Sequence, residues 1–205
     1  PGRPLVMAGC IGPFSLAARM VGVSEAMMLT VTEPDLMHHL IEKSAQFLAA
    51  YIKSFQAAGA RGLIMAEPAA GLLSPKAMSA FSSAYIRQIV SEVRHPRFSF
   101  VLHNCAAKAL HLPAILESGA RIFHFGAPMD LPAALAQAPN DVLLCGNLDP
   151  SAVFVQGTPG LVAELAAKRV AEMGASRRYI PSSGCDLPTR AHLTNLDAFF
   201  ETIAN

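Results

Sequence analysis

His103 and Cys105 stand two residues apart at the end of the apolar stretch Phe98-Ser99-Phe100-Val101-Leu102. In extended chain, residues i and i+2 point to the same side, so imidazole and thiol converge on one spot. Cys185 follows eighty residues after Cys105, in Ser182-Ser183-Gly184-Cys185-Asp186, just past the last strand-like segment. Parallel α/β folds gather the carboxyl ends of their strands at one face, and sites are built there. One imidazole and two thiols at that face are three of the ligands a catalytic zinc takes, with a fourth position left open. Taken singly, each has a plainer reading: a buried cysteine is a small apolar filler and a histidine can cap a helix. Their joint placement at strand ends is what favours the metal.

Other side chains reach the same face. Glu67 follows the segment 61–66; its carboxylate can serve as a fourth zinc ligand, pair with an arginine or cap the helix expected at 75–94. Asn147 and Asp149 follow the segment 141–146. They are placed to orient a substrate or to hydrogen-bond His103, and equally to close a turn, since Asn and Asp-Pro are ordinary turn chemistry. Asp186 is a candidate for orienting a ligand too. His124 lies on the face opposite Phe123 and Phe125, where a hydrogen-bonded interior histidine is favoured over one that lines a site. Cys10 and Cys145 compete for a metal by position but lack a ligand partner two residues away, and read as apolar fillers. His38, His39, His95, His111 and His192 fall on helices or at their ends, as surface or packing residues.

The elements that must position these groups alternate regularly. Strand-like segments at 4–8, 61–66, 98–103, 121–125, 141–146 and 178–182 are short and apolar on both faces, as buried parallel strands are. Helical patterns fall between them, at about 33–58, 75–94, 107–118, 130–137, 158–173 and 191–203. In the first, Leu36, Leu40, Phe47, Tyr51 and Phe55 recur at spacings of four or seven; Pro34 suits its first turn and Gly59 its end. Ser74 before Pro75 is an N-cap signal for the second. Such alternation implies parallel strands joined by right-handed crossovers, in a (β/α)8 barrel or an open doubly wound sheet. Six βα units are present where a barrel has eight, and the chain starts without Met and enters a strand almost at once. The expectation is therefore a single domain over 1–205, read as a piece whose first two units are absent, and the pattern alone does not choose between barrel and open sheet.

Composition excludes several classes. The 205 residues are 52% hydrophobic and 15% charged, with net charge +1. That is far from the signature of disorder, and it lacks the basic excess that phosphate binding needs, so nucleic acid is not expected as a partner. No apolar run approaches the length of a membrane span, and Pro1-Gly2-Arg3-Pro4 does not open a signal peptide. Four scattered cysteines do not make a disulfide framework, which points to a reducing, cytoplasmic setting. Low charge and two unpaired strand edges suggest self-association. Neither a dinucleotide fingerprint nor a Walker phosphate loop occurs.

With these residues on the page, the chain resembles the uroporphyrinogen decarboxylase superfamily. The resemblance is carried by Gly12-Pro13-Phe14, Glu67-Pro68-Ala69-Ala70 running into Leu73-Ser74-Pro75, and Gly146-Asn147-Leu148-Asp149-Pro150 before Gly157-Thr158-Pro159. Within the superfamily, His103-x-Cys105 with distant Cys185 is similar to the zinc-dependent methylcorrinoid:thiol methyltransferases, such as those acting on coenzyme M. The resemblance implies a (β/α)8 barrel and a Zn²⁺ held by His103, Cys105 and Cys185, with Glu67 and Asp149 as catalytic candidates. It also implies a methyl group passed from methylcobalamin, free or on a corrinoid protein, to a small thiol. The Asp-x-His-x-x-Gly signature of corrinoid carriers is absent here, so the corrinoid would arrive from elsewhere. A sulfonate acceptor would need a cationic grip, for which Arg19, Arg177, Arg178 and Arg190 are candidates. Metal-free porphyrinogen decarboxylation and a degenerate, partner-binding barrel are the rival readings.

Overall fold

The structure, a computed structural model, describes residues 5–174 and 176–204. Six strands, β1 (Met7–Ile11), β2 (Gly62–Ala66), β3 (Ser99–Asn104), β4 (Ile122–Phe125), β5 (Leu143–Leu148) and β6 (Tyr179–Ser183), follow one another in sequence order in one sheet. The pairings β1–β2, β2–β3 and β5–β6 are parallel, and helices lie between successive strands. This is the α/β alternation expected from the segment pattern. β1 begins three residues later than the segment 4–8, whose Pro4 lies outside the described residues. By contact density the chain divides into two compact units, up to Phe123 and from His124 onward.

In the first unit, residues 13–32 form two helices beyond those the sequence pattern predicts. They are α1 (Pro13–Val21) and α2 (Val23–Thr32), bent by 104° about Gly22. Gly22 has φ +97°, a conformation open to glycine at little cost. α3 (Pro34–Ala57) follows with Pro34 in its first turn. Its buried stripe is Met37, Ile41, Ala45, Leu48 and Ile52, and the helix packs against α1 and α2 and against the later helix of this unit. Leu36, Phe47 and Tyr51, from the stripe read in the sequence, are 48%, 59% and 42% exposed. The helix carries two apolar stripes about one residue apart, and periodicity alone does not say which one faces the sheet. Among the described residues, no single helix is long and apolar enough to cross a membrane.

The helix expected over 75–94 is α4 (Pro75–Met78) and α5 (Ala84–Val93), joined by a π-turn over Ser79–Ser83. Ser74 caps it as expected, its Oγ accepting the Ala77 N–H at 3.3 Å. The extra residue of the π-turn re-aims side chains, and here Ser82 and Ser83 are both buried. After β3 the chain makes a 3-10 turn (Ala109–His111) and the short helix α6 (Leu112–Leu116), ending before Gly119 at φ +72°.

In the second unit, α7 (Leu131–Gln137) starts at Asp130, whose Oδ1 accepts the Ala133 N–H at 3.1 Å. α8 (Pro159–Met173) starts at Thr158, whose Oγ1 accepts the Leu161 N–H at 3.3 Å. With α9 (Leu193–Ala204), α8 encloses a core of Leu148, Val153, Phe154, Val162, Ala166 and Phe199. Phe154 and Phe199 meet edge to face at 5.6 Å, and the Asn195 amide donates to the Phe154 and Gly157 carbonyls, closing the loop after β5.

The two stripes of α3 separate in a stability measurement. Ile41→Ala is expected to cost about 2–5 kcal/mol through the cavity it leaves, and Phe47→Ala less than about 1 kcal/mol. Urea unfolding of both variants checks this; equal costs would contradict the assignment of the buried face.

Candidate metal centre

β3 ends in the residues that the sequence reading singled out. His103 is buried at 7% exposure and Cys105 half-buried, and the ligand atoms of the two lie within 4.8 Å. Two atoms bound to one tetrahedral zinc, at about 2.0 Å for nitrogen and 2.3 Å for sulfur, lie roughly 3.5 Å apart. The pair therefore needs only a small side-chain adjustment to share an ion. One imidazole and one thiol, the donor types zinc prefers, fit that ion.

Cys185 belongs to the second unit, two residues past β6. Its carbonyl accepts the Ser183 hydroxyl at 2.8 Å, and the Ser183 carbonyl lies 2.7 Å from His124 Nε2, which donates to it. Burial pulls the His124 pKa down, with the Ser183 hydrogen bond and the Asp186 charge pulling the other way. His124 is thus the hydrogen-bonded interior histidine favoured by its neighbours, and what it holds is the strand end leading to Cys185.

Glu67 sits in a place the sequence did not foretell. Its carboxylate is 1% exposed and accepts the backbone N–H of Phe14 at 2.9 Å, that of Ser15 at 3.0 Å, and the Ser82 hydroxyl at 3.1 Å. It caps α1, not the helix at 75–94, and it does so from another element, with negative charge on the positive end of the helix dipole. Gly12 makes the approach possible, because a Cβ there would strike the Glu67 carboxylate. Burial nevertheless raises the Glu67 pKa, against the lowering pull of its hydrogen bonds. Both of its oxygens serve the α1 terminus.

The remaining candidates resolve in the same way. Asp149 Oδ1 accepts the N–H groups of Ser151 and Ala152 at 2.8 and 2.7 Å, the turn-closing role. The buried Asn147 amide donates to the Gly126 and Met129 carbonyls at 3.0 and 2.6 Å, and its Oδ1 has no partner among the described residues. Arg178 spends its guanidinium on the Leu135, Ala138 and Pro139 carbonyls at the end of α7, which removes it from the sulfonate candidates. Cys145 is buried and Cys10 half-buried; burial pushes both thiols up to about 12, with the Glu67 charge adding to the effect at Cys10. His111 is buried, bridging the Lys108 N–H at 3.0 Å and the Leu73 carbonyl at 3.1 Å, a packing role in keeping with its reading.

A family model described as uroporphyrinogen decarboxylase matches residues 1–205. The chain belongs to the uroporphyrinogen decarboxylase family. It is 30% identical to a uroporphyrinogen decarboxylase of Methylibium petroleiphilum, over 90% of this chain and 50% of that protein. It is 29% identical to the methylcobamide:CoM methyltransferase MtbA of Methanosarcina mazei, over 98% of this chain and 59% of that protein. The chain thus spans between half and three-fifths of the length of these relatives. Among solved structures, a methyltransferase from Methanosarcina mazei superposes with a TM-score of 0.87 at 20% identity, covering 98% of this chain and 58% of the other. A putative vitamin-B12-independent methionine synthase from Listeria monocytogenes gives 0.64 at 11% identity, covering 100% and 64%. The fold is therefore the α/β barrel type, with six of the βα units in this chain.

Two measurements follow from the titration directions. A thiol raised to about 12 is ionised only on the order of once in ten thousand at about pH 8. Cys10 and Cys145 should therefore resist iodoacetamide in the folded protein, as peptide mass mapping will show; rapid labelling of either would contradict their placement. Glu67 has a folded pKa above its ordinary value of 4.5, so the unfolded chain loses its proton first as pH rises. The stability that Glu67 contributes is then full below about pH 4.5, falls as pH climbs to the raised folded value, and levels off. Urea unfolding across pH should show wild type losing stability relative to Glu67→Gln over that window. A gain instead would mean that the three donors outweigh burial.

Proposed function

We propose that the protein is a zinc-dependent methyltransferase that passes a methyl group from a methylcorrinoid to a small thiol such as coenzyme M. His103, Cys105 and Cys185 would hold the metal. The observation that carries this reading is the imidazole and thiol of His103 and Cys105, with ligand atoms within 4.8 Å at the carboxyl end of a buried parallel strand. Porphyrinogen decarboxylation has no use for such a pair, whereas a soft metal does. The likeness to a methylcobamide:CoM methyltransferase supports it from the side of sequence.

Each residue has a definable part. His103 would bind through a neutral nitrogen and Cys105 and Cys185 as thiolates, so the ligand set would cancel the charge of one divalent ion. Zinc held there supplies a Lewis acid that lowers the pKa of an incoming thiol into the neutral range. β3 fixes where His103 points and the bend after it places Cys105, and the Ser183–Cys185 hydrogen bond limits the freedom of the third ligand. Glu67 and Asp149 act in this reading through the backbone they hold, one at the start of α1 and the other in the turn after β5. The corrinoid comes free or on a carrier protein, and the setting is the cytoplasm.

A second reading has its own support, since relatives 27–30% identical are named uroporphyrinogen decarboxylases. Metal content separates the two. Protein purified with zinc in the medium should contain about one zinc per chain, and Cys105→Ser and Cys185→Ser should each lower the affinity by at least about tenfold, as read by atomic emission after dialysis. Zinc-free protein that binds a porphyrinogen would decide for the decarboxylase.

A further inference from the structure

We propose that Asn104, the residue between the first two ligands, is the positioning residue that sets the separation of His103 and Cys105; this rests on the zinc reading above. Strand alternation sends the Asn104 side chain away from the two ligands, and there it is 3% exposed with both ends of its amide engaged. Nδ2 donates to the Glu67 carbonyl at 2.8 Å, and Oδ1 accepts the Ala106 N–H at 3.1 Å. The first bond ties the end of β3 to the end of β2. The second curls the chain immediately after Cys105 back onto residue 104. A third bond, from the Glu67 N–H to the His103 carbonyl at 2.8 Å, fixes the ligand on the other side.

Residue 67 is itself immobilised. Its carboxylate is held by Phe14, Ser15 and Ser82, so the clamp rests on the start of α1 and on the π-turn. The fit is tight around the amide as well: a Cβ at Gly71 would stand 2.8 Å from Asn104 Oδ1 and 2.7 Å from the Ala106 Cβ. A metal ion rewards ligands that are already spaced for it, because ordering them on binding costs conformational entropy. An amide that pins residues 103 to 106 from behind supplies that spacing without touching the ion. The ladder of β3 would persist without it, but the backbone leaving the strand at Cys105 would lose its anchor.

Asn104→Asp tests this with little change of shape. It keeps the acceptor for the Ala106 N–H and replaces the donor to the Glu67 carbonyl with an oxygen that repels it. Cobalt(II) titration of the full chain, followed by the thiolate-to-metal absorption band, reads affinity without any turnover, and thermal unfolding of the metal-free protein reads stability. Ser82→Ala serves as the control: it loosens the Glu67 side chain and leaves the amide bonds of Asn104 in place. The expected result is cobalt binding about 10–100-fold weaker in Asn104→Asp, and within about twofold of wild type in Ser82→Ala even where its unfolding temperature falls. Should Asn104→Asp not fold, Gly71→Ala presses on the same amide from the opposite side and is expected to show the same loss. Wild-type affinity in a folded Asn104→Asp or Gly71→Ala protein overturns the positioning role and leaves the zinc reading standing. Absence of cobalt and zinc binding in wild type overturns both.

Discussion

His103 and Asn104 close β3 and Cys105 stands in the bend that follows, so the backbone at this strand end decides whether an imidazole and a thiol meet. The ligand pair has meaning only while this strand end and its bend keep their shape. Neighbours in the first unit are arranged to hold them. β2 pairs in register up to Ala66 beside His103, and residue 67 then takes over with its N–H on one side and its carbonyl on the other. The next residue along the strand direction, Glu67, is held in turn by a helix terminus. A buried carboxylate is costly unless hydrogen bonds satisfy it, and two backbone donors with one hydroxyl satisfy this one.

The arrangement gives the Glu67-Pro68 and Gly12-Pro13-Phe14 segments a shared physical purpose. Gly12 clears the space, Pro13 opens α1 without needing a hydrogen-bond partner for its nitrogen, and the following two N–H groups find the Glu67 carboxylate 52 or 53 residues away. The second unit handles its own strand ends by local means: Asp149 closes the turn after β5, and His124 holds the Ser183 carbonyl just before Cys185. In both units, the polar groups nearest the strand ends are mostly occupied in holding backbone. Side chains that look catalytic by type and position are in that sense the scaffolding for fewer reactive ones.

Much of this was legible in the sequence, and the limits have physical causes. The βα alternation, the cap at Ser74, the end of α6 before Gly119 and the pairing of His103 with Cys105 all rest on local rules: strand alternation, N-cap chemistry and positive φ. The errors came where a decision needed a partner distant in the chain. Periodicity could not choose between the two stripes of α3, because both obey the helical repeat. The α1–α2 pair is hard to read locally because Gly22 divides it into segments of 9 and 10 residues, and the second of them carries little periodic signal. Glu67 reads locally as a ligand, an arginine's partner or a cap of the downstream helix, while its two backbone donors lie in an element more than fifty residues upstream. Asn104 was passed over since its side chain points away from the ligands, the same alternation that made those ligands visible. Arg178 looked available as a surface cation, and its engagement with three carbonyls of a preceding helix end is a tertiary fact.

Zinc K-edge absorption spectroscopy, with and without an added thiol, tests the central claim most directly. The account predicts a four-coordinate ion with one imidazole and two sulfur neighbours, and one further sulfur on addition of the substrate thiol. A zinc shell of oxygen and nitrogen alone, or a sulfur count unmoved by any small thiol, would contradict it.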